Sequence, residues 1–129
     1  ANNAGIAGHV SVGSNVVIGG YAAVHQFCIL GDYCFAGMNT SITMDIPAFT
    51  KVASNPARVI GLNSIGMARN GIPEESIRTI KKAHKLIYKK GLKLDQALEE
   101  INNMHSEKND AYLQTYIKSI KDSKRGILR

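Results

Sequence analysis

From Ile6 to Pro47 the apolar positions recur every six residues. The units open on Ile6, Val12, Ile18, Val24, Leu30, Ala36 and Ile42. Their fifth places hold Val10, Val16, Ala22, Cys28, Cys34, Thr40 and Ile46. Gly stands second in four of the seven units. An amphipathic helix needs apolar residues at i, i+3, i+4 and i+7, and a half-buried strand needs strict alternation. A period of six matches neither, and is the mark of a parallel β-helix. Each unit is expected to be a short strand plus a corner, with three units per coil. Residues eighteen apart then stack at the usual strand spacing of about 4.7–4.9 Å. The first and fifth places face a narrow core, and Gly takes the corner angles that a Cβ resists. Seven units in unbroken register make little over two coils, fewer than such a stack needs. The chain opens in phase on Ala1-Asn2-Asn3, so we expect it to be the C-terminal piece of a longer repeat protein.

Pro47 cannot donate to a sheet ladder and is expected to end the repeat. Phe49 to Ala53 suit one more short strand, and Asn55-Pro56 and Asn70-Gly71 are turn signals. The period then becomes helical. Pro73 suits a first helical position, and Ile77, Ile80, Ala83, His84 and Ile87 form one stripe ahead of a terminal Gly91. A second helix is expected from about Leu94 to Met104, and a third from Ser106 or Asn109 to Asp122. Short loops favour an antiparallel bundle. The expected organisation is residues 1–53 as coils of the β-helix, 54–72 as connector and 73–129 as a C-terminal α-helical domain.

Charge divides the chain in the same way. Residues 1–50 hold two acids, Asp32 and Asp45, and no Lys or Arg, a net of −2. Residues 51–129 hold all 16 basic residues and the other eight acids, a net of +8. A basic helical part suits either an acidic partner or simple solvation. Cys28 and Cys34 fall on successive faces as small core fillers, so free thiols and a reducing, cytoplasmic setting are expected. No apolar run approaches a membrane span.

The outward polar residues are the candidates for chemistry. His9 and His25 lie one coil apart on the same face, with Gln26 beside them. Such a pair suits acid–base work and hydrogen bonding to a polar substrate. On the residues alone, two surface histidines that happen to share a face are the slightly better reading. Gly8 precedes His9, and there a ligand has access to a backbone N–H able to hold an oxyanion. Asn63 and Arg69 lie in the connector, and Arg69 suits bidentate phosphate binding or plain exposure. His84 fits a packed position, and Tyr88, Tyr112 and Tyr116 lack the spacing of a base-stacking platform, so no nucleic-acid partner is expected. No P-loop, dinucleotide fingerprint, zinc pattern or nucleophile elbow occurs, and neither cofactor nor metal is expected.

Several blocks resemble one family. Ile6-Ala7-Gly8-His9-Val10, Ala23-Val24-His25-Gln26-Phe27-Cys28, Asn55-Pro56-Ala57-Arg58 and Arg125-Gly126-Ile127-Leu128-Arg129 resemble the acyl-(acyl-carrier-protein)–UDP-N-acetylglucosamine O-acyltransferases of lipid A biosynthesis. The resemblance extends over essentially the whole chain. It implies a homotrimer of left-handed β-helices, each with a C-terminal helical domain and with sites between subunits. It also implies transfer of a 3-hydroxyacyl chain from acyl carrier protein to the 3-hydroxyl of UDP-N-acetylglucosamine. By motif, Gly8 supplies the oxyanion-hole N–H, His9 and His25 line the site, and Gln26, Asn63 and Arg69 contact the nucleotide sugar. Lys81, Lys82 and Lys85 suit docking of an acidic carrier protein.

Two departures accompany the resemblance. The family's general-base histidine falls eighteen positions before Gly8, outside these residues, so the chain alone is expected to be inactive. Asn70 also stands where the family has a second phosphate-facing Arg. Two other readings suit the hexads: a different hexapeptide acyltransferase, or a non-catalytic fragment that only trimerises or binds carrier protein.

Overall fold

The computed structural model describes the backbone of residues 1–129 and all side chains except those of 107 and 108. Seven two-residue strands come first: β1 (Gly5–Ile6), β2 (Ser11–Val12), β3 (Val17–Ile18), β4 (Ala23–Val24), β5 (Ile29–Leu30), β6 (Phe35–Ala36) and β7 (Ser41–Ile42). They pair in parallel with the strand eighteen residues away, Ile6 against Val24, Val12 against Leu30 and Ile18 against Ala36. Three sheets result, β1-β4-β7, β2-β5 and one begun by β3-β6. The first and fifth places turn inward. Val24, Cys28, Leu30, Cys34, Ala36, Thr40 and Ile42 are all buried, whereas Ile6 and Val12 in the first coil remain 51% and 45% exposed. Both thiols are free. Burial pushes the Cys34 thiol up to about 12 and raises that of Cys28 as well.

The structure corrects two expectations about the repeat. The corner that needs positive φ is the fourth place, not the glycine place. Asn3, His9, Asn15, Tyr21, Phe27, Tyr33 and Asn39 all adopt φ between 57° and 67°. The second-place glycines serve the approach of one coil to the next. A Cβ on Gly19 would lie 2.6 Å from the carbonyl carbon of Gly37, and one on Gly31 would lie 2.7 Å from the Ala48 Cα.

The register is also broken within the last unit. Ile42 pairs with Val24, eighteen residues away, but Ile46 bridges to Leu30, sixteen away. Ile46 therefore occupies a first place rather than a fifth, and the seventh unit is two residues short. Elsewhere the sixth-place N–H donates to a fifth-place carbonyl one coil on, Ser11 to Cys28 and Val17 to Cys34. The shortened coil lacks that carbonyl for Ile29. The side chain of Asp45 replaces it, its Oδ1 accepting from the Ile29 N–H at 2.8 Å. Oδ2 accepts from Ser123 Oγ at 2.6 Å, and Asp45 also forms a parallel bridge with Ile127. The C-terminal segment is thus held against the last coil by this buried carboxylate together with the backbone bonds of Asp45 to Gly126 and Leu128.

The stretch expected as connector has structure of its own. β8 (Thr50–Ala53) extends the third sheet beside β6 and turns through a cis Asn55-Pro56 bond into antiparallel β9 (Arg58–Leu62). A short helix, α1 (Ser64–Arg69), follows. Then come α2 (Glu74–Tyr88), α3 (Leu94–Lys108) and α4 (Ala111–Lys121), each packed on the other two. Pro73 is the N-cap of α2 rather than its first residue, and Gly91 lies two residues past the C-cap Lys89 with φ +68°. Asp110 caps α4, accepting from the N–H groups of Tyr112 and Leu113. The stripe Ile77, Ile80, Ala83, His84 and Ile87 is buried against Ile101, Leu113, Tyr116 and Ile117. Phe49 and Tyr33 stack at 5.5 Å and join this core to the last coil.

Candidate functional site

The first candidate face lies just beyond β1 and β4. Because the two strands share a register, His25 stands over Ala7 and Phe27 over His9. The His9 and Phe27 rings stack 4.9 Å apart and only 5° from parallel. His9 and Phe27 both adopt the left-handed conformation, which turns their side chains out of the coil at a shared corner. His9, His25 and Gln26 are exposed. Phe27 is the neighbour that sequence reasoning did not count as functional. It holds the His9 imidazole flat, and its signal in the sequence was the offset of eighteen.

Gly8 is the most open glycine of this face. A Cβ there would meet nothing within 4 Å, and φ is not positive. Its carbonyl accepts from the Phe27 N–H, while its own N–H has no partner among the described residues. The arrangement offers a free backbone donor beside an imidazole, suited to holding a developing oxyanion next to a polar substrate.

The second candidate region is a groove of about 530 Å³ between the third sheet and α1. Val17, Phe35 and Lys51 form its sheet side, and Asn63, Arg69 and Asn70 its helix side. Its residues divide by role. Asn63 is 8% exposed and structurally committed: Oδ1 accepts from the Gly66 N–H and Nδ2 donates to the Tyr33 carbonyl. Asn70 donates from Nδ2 to the Gly66 carbonyl at 2.7 Å, so it closes the end of α1 instead of presenting a charge. Arg69 is exposed, with no carboxylate partner among the described residues. Lys51, which sequence reasoning missed, lies 5.3 Å from the centre of the Phe35 ring. Its rung is sixteen residues from Phe35, so the hexad period gave no hint of the contact.

Within one copy the two regions do not meet. Gly8, His9, His25 and Gln26 lie between the first and second sheets, and the groove rests on the third. Lys81, Lys82 and Lys85 are exposed on α2, far along the chain from both. Among the described residues no helix is long and apolar enough to cross a membrane.

Comparison with known proteins places this geometry. The family model described as UDP N-acetylglucosamine O-acyltransferase, domain 2, matches residues 45–128. The acyl-(acyl-carrier-protein)–UDP-N-acetylglucosamine O-acyltransferase of Alkalilimnicola ehrlichii is 43% identical over all of this chain and 49% of its own length. The crystal structure of UDP-N-acetylglucosamine O-acyltransferase from Moraxella catarrhalis superposes with a TM-score of 0.93 at 39% identity, covering 99% of this chain and 49% of that one. The Arabidopsis UDP-N-acetylglucosamine acyltransferase gives 0.92 at 29% identity, covering 99% and 47%. The chain therefore spans about half the length of the curated relatives it matches. With most of its length under the family model and its whole fold shared with solved members, the chain belongs to the UDP-N-acetylglucosamine O-acyltransferase family.

Proposed function

We propose that this chain is the C-terminal half of an enzyme that moves a 3-hydroxyacyl chain from acyl carrier protein to the 3-hydroxyl of UDP-N-acetylglucosamine, opening lipid A biosynthesis. The observation that carries the reading is the unobstructed Gly8 N–H beside exposed His9 and His25 on one face. In the reaction the sugar hydroxyl attacks the thioester carbonyl while a base takes its proton. The tetrahedral oxyanion is held by the Gly8 N–H. Collapse forms the ester, breaks the C–S bond and releases the carrier thiol once the proton returns. His9, steadied by Phe27, and His25 position the substrates, and Gln26 binds the sugar. Arg69 meets the phosphates, with Asn63 shaping the groove beneath them. The base is a histidine outside these 129 residues, one coil below Gly8.

The hexads belong to a left-handed β-helix, residues 1–53, with 54–72 as connector and 73–129 as the helical domain. The proposal includes a cytoplasmic homotrimer whose sites form between neighbours, and the separation of the two candidate regions within one copy supports sites shared between copies. Transfer assayed with the 129-residue chain and with a version extended by the preceding segment tests the proposal. The extended protein is expected to acylate the sugar nucleotide, and the shorter chain is not. Activity in the shorter chain would overturn the assignment of the base, and an inactive extended protein would overturn the function.

A further inference from the structure

A second cavity, of about 320 Å³, lies between β9, α2 and the C-terminal segment. Arg58, Lys89 and Arg129 line it, and no Asp or Glu side chain does. Among the described residues none of these three cations has a carboxylate within salt-bridge distance. Positive charge left this concentrated attracts an oxyanion. The part of the wall formed by the C-terminal segment is held in place. One guanidinium nitrogen of Arg129 donates to the carbonyls of Ile87 and Leu92, each at 2.8 Å, and the Tyr88 hydroxyl donates to the Leu128 carbonyl at 2.7 Å. A cation held this way loses little freedom on binding.

The lining also includes His84, only 7% exposed, whose Nδ1 is buried with no hydrogen-bond partner among the described residues. Its ring lies 4.7 Å from that of Tyr88, so the imidazole is fixed against the cavity side of α2. Val59 and Leu128 add apolar wall.

We infer that this cavity is an anion site for a small organic phosphate. Arg58, Lys89 and Arg129 bind the phosphoryl oxygens, and Val59, Leu128 and the His84 ring cover the organic part. A phosphate, with close to two negative charges, suits three unpaired cations better than a single carboxylate does. Burial, and then the nearby Lys89 charge, hold the His84 pKa down to about 4. It is therefore uncharged near neutrality, and the three cations supply the attraction. The site is independent of the proposed acyl transfer, because it shares no residue with the groove or with the Gly8 face.

Calorimetric titration in a phosphate-free buffer tests the inference, with inorganic phosphate and phenyl phosphate as probes. We expect saturable binding of one probe per chain, with phenyl phosphate the tighter. Arg58→Gln and Lys89→Gln should each weaken it about tenfold, the scale of one charge-assisted hydrogen bond. The Lys81→Gln/Lys82→Gln pair should leave it unchanged. The His84 imidazole resonances should move with the same midpoint while those of His105 stay in place. Absence of saturable binding at millimolar probe overturns the site. So does equal weakening by the α2 surface pair, which would mark diffuse charge attraction.

Discussion

Asp45 is the residue whose loss the structure lets us price in free energy. It is 2% exposed and makes two side-chain hydrogen bonds, from the Ile29 N–H and from Ser123 Oγ. Hydrogen bonds to a charged acceptor contribute about 1.5–3 kcal/mol each. Asp45→Ala removes both and leaves the Ile29 N–H without an acceptor, because the two-residue shortening has removed the carbonyl that would replace it. Water reaching the vacated space recovers part of the loss. We therefore expect destabilisation of roughly 3–5 kcal/mol, a large share of the 5–15 kcal/mol typical of a folded domain. Asp45→Asn keeps an acceptor for Ile29 and should cost about 1 kcal/mol, as for one neutral hydrogen bond. Urea denaturation at fixed protein concentration, followed by circular dichroism, measures both. Ser123→Ala tests the tail separately, and a double-mutant cycle with Asp45→Ala should show coupling of about 1 kcal/mol. Asp45→Ala within about 0.5 kcal/mol of the parent, the range of a neutral surface change, would refute the substitute-carbonyl account.

Three further outcomes are expected. Gly19→Ala should destabilise by about 1–3 kcal/mol through overpacking against Gly37, whereas Gly8→Ala, with open space for its Cβ, should leave stability unchanged or slightly raised in the same denaturation assay. The lowered His84 pKa predicts a pH effect on folding: the unfolded imidazole protonates near 6.5 and the folded one only near 4. Stability should therefore fall as pH drops through that window, by roughly 3 kcal/mol in full, and His84→Gln should flatten the dependence in denaturation midpoints taken from pH 7 to pH 4. Changing Lys81, Lys82 and Lys85 to Glu in the full-length enzyme should raise KM for acyl carrier protein and reduce its salt dependence; an unchanged KM would sink carrier docking on α2.

The repeat was legible because the inward places keep one period from Ile6 to Ile42, and burial follows it from Ala22 onward. The stacking of Phe27 over His9 was legible for the same reason. Corner conformations were not. The fourth place carries Asn, His, Tyr and Phe, and only the asparagines and His9 advertise a left-handed backbone. Gly13, Gly19 and Gly31 look like corner residues in the sequence, but they are needed because the next coil comes too close for a Cβ. The short seventh unit was hidden because Ile46 satisfies a fifth place and a first place equally well. Asn63 read as a binding residue from its place in the connector, but an asparagine before a helix is as often a cap, and here its amide caps α1. The cavity of Arg58, Lys89 and Arg129 joins residues far apart in the chain with no repeat to relate them.

The central claim is that the outer face around Gly8, His9 and His25 forms part of an acyl-transfer site. Its most direct measurement is kcat for 3-hydroxyacyl transfer to UDP-N-acetylglucosamine by the full-length enzyme and its Gly8→Ala variant. The added methyl fits the fold and stands beside the Gly8 N–H, in the path proposed for the thioester. The account predicts a fully folded variant with kcat about 10²–10³ lower, as for loss of one oxyanion donor. A folded variant that transfers at the parental rate would contradict it.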